Sequence, residues 1–145
     1  MKHLSDIKTG DILWVIDDSL HPRLVALPII EIDVKKYPWT SYHNLLLKFP
    51  DGSEKWISLF NNGSKRDYDQ PFLSSILENL NDYEHDNTYL VCFDKINLYN
   101  KYISGLQSSI ESVEEVLDNG KKNLIDLNSK LNYIQSQIKL IKENE

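Results

Sequence analysis

The stretch VLDNGKKNL, Val116 to Leu124, interrupts the longest regular pattern in this 145-residue chain. Its reading decides whether the C-terminal third folds back on itself or runs on as one helix. From Ile96 onward, apolar residues recur at 96, 99, 103, 106, 110, 113 and 117. After Gly120 they continue at 124, 127, 131, 134, 138 and 141. The spacing alternates three and four residues throughout, the mark of a coiled-coil seam. Asp94, just before the pattern, is placed to cap the first turn.

Asn119-Gly120 is a helix-stop signal, because glycine accepts the left-handed conformation past a helix end. A turn near residues 118–120 makes the seam close on itself as an antiparallel pair. Paired positions then sum to 237. The layers are Val113–Leu124, Ile110–Leu127, Leu106–Leu131, Ile103–Ile134, Tyr99–Ile138 and Ile96–Ile141, apolar on both sides. The sequence therefore predicts a helical hairpin over 95–145. The rival is one helix of roughly 69 Å whose exposed seam requires a partner chain. At the hairpin tip, Val116 and Ile125 lie off the seam and form a candidate contact site. At its base, Leu98, Tyr102, Tyr133 and Leu140 are expected to dock the hairpin onto the barrel or into an oligomer.

Upstream, residues 1–60 read as β structure, and 1–94 together as a small β-barrel with an inserted short helix. The run Ile12–Ile16 follows a Gly10-Asp11 turn signal. The stretch RLVALPIIEIDV is extended, with Pro28 marking a bend or a sheet edge. After it, Ile30, Ile32 and Val34 alternate with Glu31 and Asp33, which predicts one buried and one wet face. NLLLKFPDGSEKWISLF is a β-hairpin about Pro50-Asp51-Gly52. Residues 61–70 form a polar loop. PFLSSILENL, with apolar residues at helical spacing, predicts a short helix over about 71–82. TYLVCFD is a fifth strand. The expected class is α+β: a small SH3-like β-barrel, alternatively OB-like, followed by the helical hairpin.

The formal charge of −6 is concentrated in residues 61–95, and no segment is net basic. That opposes non-specific binding to a phosphate backbone. Cys92 is the only cysteine and stands in an apolar run, which fits a small buried side chain in a reducing compartment. With no apolar leader and no long apolar run, the expected location is cytoplasmic.

Sites for chemistry are sparse. His3, His21, His43 and His85 fall in no metal-ligand spacing. Asp82, Glu84, His85 and Asp86 read as a solvated acidic loop rather than a cation site, and Asp17-Asp18 as a polar turn. No nucleophile, phosphate-loop or cofactor motif is present. No enzyme activity, metal or cofactor is expected. The aromatic loop YPWTSY is the better candidate: Tyr37, Trp39 and Tyr42 surround a proline, and small barrels bind peptides or nucleic acid through such residues, with Trp39 the expected exposed anchor; the alternative is that one or two of these rings cap the barrel core. The expectation is a non-enzymatic protein-interaction module with an unidentified protein partner, and self-association through the helical segment as a further option. Nucleic acid bound by Lys35, Lys36 and Trp39, with dimerisation through a continuous coiled coil, is the alternative.

Overall fold

A computed structural model describes residues 2–61, 66–77 and 87–144. The chain divides into two units, Met1–Tyr102 and Ile103–Glu145.

The first unit is a nearly closed antiparallel barrel of six strands: β1 Ile12–Asp17, β2 Arg23–Lys36, β3 Ser41–Lys48, β4 Glu54–Asn61, β5 Phe72–Ile76 and β6 Asn87–Cys92. Their order is β4-β3-β2-β1-β6-β5. The two outer strands meet at Trp56 and Leu77, which exchange backbone hydrogen bonds of 2.9 and 3.2 Å.

Strand β2 makes the curvature possible. Its first half, Arg23–Pro28, pairs with β1, and its second half, Ile29–Lys36, pairs with β3. Pro28 lies where the strand changes partner, so the amide it lacks falls at the bend. A bulge between Ile29 and Glu31 follows. Bulges of this kind bend a strand and increase its twist. The bulge also corrects the expected alternation. Ile29 is buried, whereas Ile30 and Val34 are exposed and only Ile32 packs partly against the core.

The predicted β3–β4 hairpin is present. Gly52 adopts φ 87°, its amide bonds to the Phe49 carbonyl at 2.9 Å, and Phe49 in turn bonds to Ser53. Leu45, Leu47, Ile57 and Leu59 point inward and join Leu13, Leu27 and Val91 in one core. Each such side chain contributes about 1.5–3 kcal/mol on burial. Leu4, Ile7 and Tyr68 complete this core from outside the strands.

The helix expected over 71–82 is not formed where the structure is described. Residues 72–76 are β5, and 78–82 lie outside the described residues. Phe72, Ser74 and Ile76 are buried and alternate with exposed Leu73 and Ser75. The same apolar positions satisfy a period of two as well as a helical one. Pairing with β6 decides between them, leaving Leu73 70% exposed.

One helix, α1, runs without interruption from Lys95 to Glu143. Its start belongs to the first unit. Asp94 caps it as expected, with Oδ1 accepting from the Asn97 amide at 2.9 Å. Asn97 Nδ2 and the Cys92 thiol both donate to the Asp69 carbonyl. Leu98 is fully buried, and the Tyr102 hydroxyl donates to Asp18.

The rest of α1, from Ile103, constitutes the second unit. The hairpin is absent: no turn forms at 118–120. Gly120 has no positive φ, so the left-handed cap that a stop requires is missing. A glycine inside a helix costs about 1 kcal/mol relative to alanine. Helix-favouring neighbours such as Glu114, Glu115, Leu117, Lys121 and Lys122 outweigh that cost. The seam positions from Ile103 to Ile141, Gly120 apart, are consequently 46–62% exposed rather than buried.

No helix among the described residues is long and apolar enough to cross a membrane.

Candidate functional site

The β2–β3 connection places the aromatic residues. Tyr37 and Thr40 close it with a backbone hydrogen bond of 2.8 Å. Proline at 38 presets the turn and lifts Trp39 to the tip, where it is 85% exposed. From there an aromatic row crosses the sheet. Tyr37 and Tyr42 meet edge to face with ring centres 5.8 Å apart, and Tyr42 and Phe60 tilt together at 6.3 Å. Tyr42 and Phe60 are direct cross-strand partners. All four rings keep exposed surface: Tyr37 54%, Trp39 85%, Tyr42 37% and Phe60 47%. Aromatic pairs in this geometry add about 0.5–1.5 kcal/mol beyond their burial. These contacts hold the rings of Tyr37, Tyr42 and Phe60 against one another.

The structure thus brings Tyr37 and Tyr42 together, with Trp39 at the adjoining tip, and adds Phe60. Phe60 was within reach of the sequence. A hairpin turning at Pro50-Asp51-Gly52 with Lys48 opposite Glu54 also sets Tyr42 opposite Phe60.

The two lysines beside the loop separate. Lys35 pairs with Tyr42 and lies on the aromatic face, whereas Lys36 pairs with Ser41 on the other. Alternation along β2 requires this split. Lys36 instead lines a cavity of about 730 Å³ with His3, Asp6, His43, Arg66 and Tyr68. His43 faces it from β3. Its Nδ1 is buried with no hydrogen-bond partner among the described residues. Burial, with Lys36 nearby, lowers its pKa below 6.5. Two permanent cations and two histidines against one carboxylate give this cavity a positive bias. No sequence signal announces it, because its walls come from the N-terminal turn, β2, β3 and residues 66–68.

The other sequence candidates resolve differently. Val116 and Ile125 are 71% and 65% exposed, but an offset of nine positions along the helix sets them half a turn apart about the axis. They lie on opposite faces of α1, and without a hairpin there is no tip to unite them. Of the four expected docking residues, Leu98 and Tyr102 contact the barrel. Tyr133 and Leu140 are exposed. Asp17 pairs with Arg23 at 3.2 Å, and Asp18 receives the Tyr102 hydroxyl. Cys92 is fully buried, its thiol donates to a carbonyl, and burial pushes its pKa up. The acidic loop at 82–86 lies outside the described residues.

No protein-family model matches the chain, and neither does any curated protein or solved structure.

Proposed function

We propose that this chain is a non-enzymatic protein-interaction module, an adaptor, assembly component or small inhibitor, that engages a protein partner through the aromatic row. The exposure of Trp39 at the end of a pre-ordered run of rings carries the reading. Aromatic side chains present large contact area at low entropic cost, and they dominate interface hot spots. Lys35 adds one cation at the edge, which favours a partner segment with an acidic residue beside an apolar one. The barrel itself is read as SH3-like, with OB-like as the alternative; the long bent β2 shared by two half-sheets and the sequential β1–β4 meander support the first. A cytoplasmic location agrees with a single, buried thiol.

The test is affinity capture from the native cell with the wild-type chain, Trp39→Ala and Leu73→Ser. Leu73, 70% exposed, is an accessible apolar residue elsewhere on the barrel. A partner recovered by wild type and Leu73→Ser but lost with Trp39→Ala supports the reading. Identical recovery by all three overturns it.

Lys35 beside Tyr42 also favours a second reading, single-stranded nucleic acid stacked on the rings. Labelled RNA and DNA titrated at two salt concentrations separate the two. Salt-sensitive binding that Lys35→Glu abolishes transfers the site to nucleic acid.

A further inference from the structure

The exposed seam of α1 has its own symmetry, and that symmetry identifies its occupant. We infer that it pairs with the same seam of a second copy, antiparallel, about a two-fold axis between Asp118 and Asn119. With positions summing to 237, Leu117 packs against Gly120 of the partner helix. Outward from there Val113 meets Leu124, Ile110 meets Leu127, Leu106 meets Leu131 and Ile103 meets Ile134. The axis repeats each layer, so residue i touches residue j and j touches i, as an isologous interface requires.

Three observations support this arrangement, the last two of them against a parallel pair. The first is area. The apolar seam positions from Ile103 to Ile134 are about half exposed. If each of the nine apolar side chains that every helix brings to these layers loses roughly 70 Å², the pair buries on the order of 1,300 Å², within the range of a standard stable interface.

The second is Gly120. In a parallel pair it faces itself, leaving a layer without side chains at mid-helix. In the antiparallel register the Leu117 side chain enters that space from the partner. Nothing lies within 4 Å of where a Gly120 Cβ would stand, so the position is open to receive it.

The third is charge. Antiparallel helices set flanking position e against e of the partner. Here that places Glu114 beside Lys121 of the other helix, twice over the dyad. Sliding the pair by one heptad brings Lys121 onto Lys121 in one direction and Glu114 onto Glu114 in the other. A parallel pair places Glu114 beside Ser109 and Lys121 beside Val116. Among these registers, only the one centred at Asp118-Asn119 matches opposite charges.

The test uses the full chain. Sedimentation from about 1 to 100 μM should give a dimer. Glu114→Lys should weaken it by about tenfold or more, since two attractive pairs become repulsive, and adding Lys121→Glu should restore it. Under mild oxidation, a mixture of Ile110→Cys and Leu127→Cys chains should cross-link, while neither variant cross-links alone. Both substituted residues are exposed, so the fold is not at stake, and the native Cys92 is buried. A monomer at 100 μM, a higher oligomer, cross-linking of either variant alone, or a charge reversal without rescue would each overturn the inference.

Discussion

Replacing Gly120 with alanine probes the feature on which the C-terminal third depends. Inside an uninterrupted helix, alanine removes the excess conformational freedom that glycine carries in the unfolded chain, a gain of about 1 kcal/mol. Within one chain the structure allows that gain. Gly120 has no positive φ, and an added Cβ meets no atom within 4 Å. Gly105 serves as the internal standard, being equally helical and equally unobstructed. Urea unfolding followed by ellipticity at 222 nm, at fixed protein concentration, should show both variants stabilised. A difference of about 1 kcal/mol is roughly fivefold in the folded-to-unfolded ratio. Were Gly120 instead the left-handed end of a first helix, alanine there would cost about 1 kcal/mol or more. Stabilisation by Gly105→Ala together with destabilisation by Gly120→Ala would refute the continuous helix.

Two further expectations concern the first unit. Leu98→Ala should cost about 2–5 kcal/mol, because the side chain is fully buried where α1 meets the barrel; a loss below about 1 kcal/mol in a urea melt would mean the helix start is not anchored there. For His43 the sign follows from its lowered pKa. Above 6.5 the ring is neutral in both states. As pH falls through 6.5 the unfolded chain takes up a proton that the native state resists. Stability is therefore lost from 6.5 down to the depressed native value. His43→Gln should flatten this part of the curve, read as urea midpoints at closely spaced pH values, and an unchanged slope would reject the assignment.

What the sequence disclosed followed the range of the interaction responsible. The β3–β4 hairpin depends on Pro50, Asp51 and Gly52, neighbours in the chain, and it was legible. So was the Asp94 cap, three residues from the amide it binds. β5 was not. Phe72, Ser74 and Ile76 fit a strand, Phe72 and Ile76 also fit a helix, and the deciding contact is β6, about 15 residues further along. Asn119-Gly120 misled for another reason. The pair stops a helix only where a left-handed residue gains something, and the cost of carrying glycine through is small. Within the candidate site, the loop rings were visible as a cluster. Phe60 and the separation of Lys35 from Lys36 required strand register. The positive cavity was hidden because its walls are brought together only by the tertiary fold.

The strand order also sets a timetable for synthesis. β1 to β4 are joined by short connections and pair in sequence, so their contacts carry little loop-closure cost and can form as the chain emerges. β1 keeps its other edge open, however, until Val91 arrives to pair with Val15. During that interval the nascent meander presents an unpaired strand at β1. The residues that fill the gap immediately precede Asp94 and the start of α1. Closing the barrel and anchoring the helix are therefore consecutive steps at one place, and a chain halted before β6 would retain an adhesive edge.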